Sequence, residues 1–252
     1  MAYDLRKVPT TEFRGDTMAD RKFVDESFTH HRYFSRKISR CEFVRCCFKD
    51  LRAWDTHFSD MIFGSCNLRG AALGGVFKGR INRFHRVTFR KTDLRRSAWS
   101  AAEFVDCQFI DCRFGPVDFQ SCRFTRCTFV GEVREALFYD RGFSAPDQPP
   151  NEMFQCDFSK ARVPWSDFRR LDLTTLIGPT GESTFILHNY RNFLEAAVRE
   201  SKEDEKVFKA MMQHKLKWAG PNQQTGYFDQ EELEDYLGSD WRRRVEEIQK
   251  NI

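Results

Sequence analysis

Large apolar residues recur every five positions through most of this 252-residue chain. From Phe13 the step runs through Met18, Phe23, Phe28, Tyr33, Ile38, Phe43, Phe48, Ala53, Phe58, Phe63, Leu68 and Leu73 without a miss. It resumes at Phe84 and passes Phe89, Leu94, Trp99, Phe104, Phe109, Phe114, Phe119, Phe124 and Phe129. A third run holds Phe138, Phe143, Met153, Phe158, Val163, Phe168 and Leu173, with Gln148 as its one failure. Of the 26 Phe, 19 stand on this register. A period of five fits neither the 3.6 of a helix nor the simple alternation of a strand. Two places before the large residues stand small ones, among them Cys41, Cys46, Cys66, Ala71, Thr92, Ser97, Ala102, Cys107, Cys112, Cys122, Cys127, Ala136, Cys156, Ala161 and Ser166. Each five-residue unit therefore points two side chains inward, as strand alternation requires, and the other three turn a corner toward water. Repetition coils the chain into a square tube.

Units such as Cys107-Gln108-Phe109-Ile110-Asp111, Cys112-Arg113-Phe114, Cys122-Arg123-Phe124 and Ala136-Leu137-Phe138 resemble the A-(D/N)-L-X-X pattern of pentapeptide-repeat proteins. The resemblance covers residues 12–174, about two thirds of the chain. It implies an all-β solenoid, a right-handed quadrilateral β-helix of about eight coils, with residues 1–11 as lead-in and 175–252 as a C-terminal helical module. Phe in place of Leu needs more room, which Cys, a small buriable residue, leaves for it.

The register breaks in three places. Residues 74–83 should leave the wall as a loop, a second slip falls at 130–134, and 144–152, with three Pro, is a third excursion. Loops on a rigid scaffold often carry recognition, although a solenoid also tolerates harmless insertions. Around the first loop lie eight cations, Lys78, Arg80, Arg83, Arg86, Arg90, Lys91, Arg95 and Arg96, against the single anion Asp93. This basic stripe is the candidate partner-binding surface; the plainer reading is a solvated corner row. Residues 1–173 carry a net charge of +7 and residues 174–252 a net charge of −3.

Beyond the repeats, Phe185–Glu200 is expected to be helical, with Leu187, Tyr190 and Leu194 on one face. Ser201 reads as the N-cap of a second helix ending near Trp218. Asp229 with Glu232 resembles a capping box opening a short helix closed by Gly238, and Trp241, Val245 and Ile248 stripe a last one. A solenoid must cover its final coil. The module is therefore expected to be an end cap, a dimer contact, or both, through Leu187, Tyr190, Leu194, Trp241, Val245 and Ile248.

Other chemistry is sparse. No run of 18 apolar residues exists, so no membrane span is expected, and Met1 to Thr10 lacks a signal-peptide core, so the cytoplasm is the expected location. The nine Cys are then thiols. Their spacing by five puts them in a wall, not on a metal, and Cys47 alone leaves the inward column. The sequence holds no nucleophile elbow, zinc-protease helix, phosphate loop or dinucleotide fingerprint, and a filled tube has no cleft. No catalytic residue, cofactor or metal is assigned, and an enzyme is not expected. The resemblance implies a binder. Members of this size with loops and C-terminal helices protect DNA gyrase and topoisomerase IV from antibiotics and are thought to mimic duplex DNA. The basic repeat domain has the wrong sign for global mimicry. A general scaffold recruiting a partner through loops and tail is the alternative, and direct nucleic-acid binding ranks below both, for want of exposed aromatics among the cations. A homodimer through the C-terminal module is a further expectation.

Overall fold

The computed structural model describes residues 16–141, 150–151, 153–171, 173–221 and 223–252. The lead-in at 1–11, Phe13, Phe143 and most of the 144–152 excursion lie outside the described residues. The repeats form a four-faced β-helix whose strands pair in parallel with the fourth unit further along, as Lys22 does with Glu42. Face I stacks six strands: Thr17–Ala19, Lys37–Ser39, His57–Ser59, Arg83–His85, Glu103–Val105 and Arg123–Thr125. Face II stacks seven, from Lys22–Val24 to Asp157–Arg162. Face III is a row of isolated bridges through Ser27, Cys47, Asn67, Asp93 and Arg113. Face IV begins with Arg32–Phe34 and Arg52–Trp54, passes Ala72 and Ala98, and ends with Val117–Phe119, Ala136–Tyr139 and Asp167–Arg169.

Each strand is short on most rungs because a corner follows at once. The corner residue, two after the central one, sits at positive φ: Asp20 (59°), Asp25 (58°), Arg40 (49°), Arg86 (52°) and Asp106 (55°) are examples. Asp tolerates this left-handed conformation better than most residues, and Gly70 and Gly131 take it freely. The central residues stack. Phe23, Phe43, Phe63, Phe89, Phe109, Phe129 and Phe158 form one column with neighbouring centroids 4.2–5.3 Å apart and ring planes within 17° of parallel. That spacing follows from the separation of paired strands. A void of about 20 Å³ among Tyr33, Phe43, Phe63 and Phe84 leaves no room for a ligand inside.

The interruptions differ from expectation in detail. At the first, extra residues are added to the coil, since Ile62 pairs with Thr88. Ile81 and Asn82 are already buried and Arg83 starts a strand, so only about 75–80 leaves the wall, turning through an antiparallel bridge between Phe77 and Arg80. The second is no loop. The strand Thr128–Glu132 runs through it, Val133 is buried as a central residue, and the coil is one residue short, with Val117 opposite Ala136. A four-residue unit closes the corner there without an excursion.

The tail also departs from the sequence reading. Thr184–His188 is a strand, antiparallel to Thr225–Asp229, and not the start of a helix. Helices α1 (Tyr190–Glu200), α2 (Lys206–Trp218), α3 (Gln230–Leu237) and α4 (Trp241–Gln249) pack on this pair. Ser201 closes α1 instead of opening α2: its hydroxyl donates to the Ala197 carbonyl at 2.5 Å. Asp229 does cap α3, accepting from the Glu231 N–H at 3.1 Å, while Glu232 turns inward to Lys215 at 3.0 Å, so no capping box forms.

Candidate partner-binding surface

Because one coil takes about four units, the cations from Lys78 to Arg96 wind around the tube. Arg83 and Arg86 lie on face I and its corner, Arg90 and Lys91 on face II, Arg95 and Arg96 on face III. They form a belt, not a stripe. Within it Arg80 pairs with Asp55 (3.1 Å), Arg83 with Glu103 (3.2 Å), Arg86 with Asp60 (2.9 Å) and Arg95 with Asp93 (2.6 Å). Arg90, Lys91 and Arg96 are exposed and make no ion pair among the described residues.

The corner between faces I and II carries Asp20, Arg40, Asp60, Arg86, Asp106 and Arg126 in successive coils, alternating in sign. Arg40 grips Asp20 with two bonds of 2.6 and 2.7 Å, and Arg126 grips Asp106 with 2.7 and 2.9 Å. On the next corner Arg45 holds Asp25 in the same way. These arginine hydrogen bonds keep the Asp20, Asp25, Asp60 and Asp106 carboxyls below the usual carboxylate range. The ladder is therefore nearly neutral along its length.

The first loop lies down on face IV. Phe77 packs edge-on against Phe34 with centroids 4.4 Å apart, Lys78 stands 5.5 Å over the Phe77 ring, and the backbone at Gly75 passes Trp54. Arg80 fastens the loop to Asp55, whose carboxyl is held low first by the Ser35 hydroxyl and then by Arg80. Arg32 and Arg52, in the column beside Phe34 and Trp54, are exposed and have no ion pair among the described residues. Phe34 is 45% exposed and Val76 40%. The result is an aromatic patch rimmed by cations, built from residues that the sequence reading passed over apart from Lys78 and Arg80. A signal was available: Phe34 and Trp54 stand four units apart, as do Arg32 and Arg52, so each pair had to share a column on one face.

Units of five, two inward side chains per unit, a left-handed corner and pairing with every fourth unit are all now in place. This is the pentapeptide-repeat fold. No protein-family model matches the chain, and no curated protein matches it either. Among solved structures, trypsin-treated QnrB1, a plasmid-mediated fluoroquinolone resistance protein, is similar at 17% identity and a TM-score of 0.44, over 64% of this chain and 74% of that one. HetL, a pentapeptide repeat protein involved in heterocyst differentiation regulation from the cyanobacterium Nostoc sp. strain PCC 7120, is similar at 11% identity and a TM-score of 0.28, over 66% and 90%. The assignment of the fold rests on the register of the pentapeptide repeats themselves.

The helical module docks on the last coil of the pentapeptide-repeat domain. Tyr227 meets Phe168 with centroids 5.9 Å apart, Gln223 donates to the Phe168 carbonyl at 3.0 Å, and the Arg170 N–H donates to the Trp218 carbonyl at 3.0 Å. Arg134 holds Glu231 through two bonds of 2.7 and 2.9 Å, and Arg162 holds the fully buried Asp229 at 2.7 Å. Leu187, Tyr190, Leu194, Trp241, Val245 and Ile248 are all buried in the module's own core. These side chains are not a dimer surface; an interface would need residues still facing water. Among the described residues no group of three or more His, Cys, Asp or Glu could hold a metal, and no helix is long and apolar enough to cross a membrane.

Proposed function

We propose that this protein is a non-enzymatic binder that engages a type II DNA topoisomerase, DNA gyrase or topoisomerase IV, and protects it from antibiotic poisoning. The observation that carries the binding role is the patch of Phe34, Trp54 and Phe77 rimmed by Arg32, Arg52 and Lys78. Aromatic residues and Arg are the types that dominate interface energetics, and here they stand on a rigid wall with a tied-down loop. The topoisomerase as partner comes from the resemblance of the repeats, with a right-handed tube of about eight coils as part of the same proposal. Imitation of duplex DNA gains no support from the alternating corner ladder, so protection is proposed through direct docking of the patch on an acidic protein surface.

The test is a supercoiling and cleavage assay of gyrase with a poison present. Native protein should restore supercoiling, and Arg52→Glu with Trp54→Ala should raise the concentration needed by at least about tenfold. No rescue at micromolar protein, together with a partner captured only when the helical module is intact, would replace this reading by that of a general adaptor. Binding to plasmid alone that falls steeply with salt would replace it by nucleic-acid binding, because the patch does set aromatics among cations.

A further inference from the structure

A cavity of about 580 Å³ lies where the last rungs of face IV meet α2 and α3. Val117 and Leu137 of the tube, Met211 of α2 and the edge-to-face pair Trp165 and Tyr236, with centroids 5.5 Å apart, give it apolar walls. Around them stand four carboxylates, Asp118, Glu135, Asp167 and Glu232, against the cations Arg96, Arg169 and Lys215.

Most of this charge is already matched. Arg169 binds Asp167 at 2.7 Å and the Tyr139 hydroxyl at 2.6 Å, meets His214 at 3.0 Å and packs against the rings of both Tyr139 and Trp218. Lys215 binds Glu232 at 3.0 Å and sits over the Phe228 ring. Besides Arg96, which has no ion pair among the described residues, what remains unmatched is acceptor capacity. Asp118 and Glu135 have no ion pair among the described residues, and the second carboxylate oxygen of Glu232, a residue only 1% exposed, has no hydrogen-bond partner. The buried hydroxyl of Tyr236, one turn along the same helix, has none either. A buried acceptor without a donor is costly, and the groove beside it is wide enough to admit one.

We propose that this junction binds a small organic cation, an amine or guanidine on a flat apolar body, with the charged end toward Asp118 and Glu232 and the body between Leu137, Met211 and Trp165. An ammonium supplies the missing donors and offsets the surplus negative charge, whereas an anion would face it. The ligand touches both tube and helices, so its binding also tightens the docking of the module. This inference concerns the opposite end of face IV from the proposed partner patch and stands or falls separately from it.

Phenethylamine and 3-phenylpropionate share a body and differ in the sign of the end group, which makes them suitable probes for calorimetry on the full chain. Phenethylamine should bind at one site and raise the thermal midpoint, and 3-phenylpropionate should do neither. Asp118→Asn retains the oxygen that accepts the Gln120 N–H and removes only the charge, so it should fold and bind phenethylamine at least about tenfold more weakly. Leu137→Arg, on the outer side of the wall, should fill the groove and abolish binding. Equal binding of the two probes, no binding at millimolar phenethylamine, or binding unchanged in both variants would overturn the proposal.

Discussion

The slot two residues before each central ring does more than leave space. In Cys66, Cys107, Cys112 and Cys127 the thiol points at the carbonyl of the central residue one coil below, Phe43, Phe84, Phe89 and Phe104, at 3.3–3.5 Å. The Thr92 hydroxyl donates to the Phe63 carbonyl at 2.9 Å from the same slot. Asn82 extends the pattern at the first insertion. Its amide nitrogen donates to the Ala53 and Leu73 carbonyls, each at 2.7 Å, and its oxygen accepts the Thr56 N–H at 2.8 Å. Asn151 plays a similar part beside the third excursion, accepting the Phe124 and Met153 N–H groups, and Ser166 donates to the Val133 carbonyl above the short unit. At each of these breaks in the ladder, a buried polar side chain stands in for the lost backbone partner. Asn82→Ala should therefore destabilise the chain by about 2–3 kcal/mol, more than Cys107→Ala, because it strands several buried backbone groups while the thiol is only a weak donor. Urea denaturation of the two variants decides it, and equal losses would refute the stand-in role.

At the scale of elements, the strand Thr225–Asp229 joins the two halves of the molecule through its alternation. Tyr227 points into the end of the tube and belongs to its core, whereas Phe228 points into the core of the helices. Gly226 has no side chain because the Tyr190 ring lies where a Cβ would be. Asp229 then caps α3 and receives Arg162 from the tube. Removing that arginine leaves a wholly buried carboxylate facing the tube without its cation. Arg162→Ala should cost about 3 kcal/mol and should loosen the module before the tube, seen as faster amide exchange in α3 than in face II. Uniform exchange across both would argue that the dock does not depend on this pair. The tube was legible in the sequence because its period is local and repeated: the Phe columns, the inward Cys and the place of the first insertion could all be counted. The strand at Thr184–His188 could not be, since Leu187, Tyr190 and Leu194 also fit a helical face and its partner strand lies beyond both α1 and α2. The aromatic patch was half legible. Its columns follow from the coil length, but the fold-back of Phe77 onto Phe34 is a property of the loop's path.

For the whole molecule, the charge list misleads unless it is folded. A surplus of cations in the repeats suggested a basic stripe, yet the coil distributes them and pairs many with carboxylates one rung away. Single exposed pairs contribute little, but here they are bidentate and stacked in series on a fixed wall. Their pH dependence has a definite sign. The Asp20, Asp25, Asp60 and Asp106 carboxyls are held low in the folded chain by their arginines, so unfolding raises their pKa and takes up protons. Their contribution is complete above the pKa of the unfolded chain, about 4, and is lost as pH falls through the folded values. Asp118 and Glu232, pushed up by burial, act the other way and favour the folded chain more as pH falls, but they are fewer. The urea midpoint should thus be level from pH 7 to about 5 and fall below about 4. Replacing Arg40 and Arg126 together by Gln should lower the midpoint at neutral pH and flatten the acid limb, while a control at Arg90, which has no ion pair among the described residues, should change neither. An acid limb of unchanged steepness in the double variant would show that the ladder is ornament on a tube held together by its aromatic columns alone.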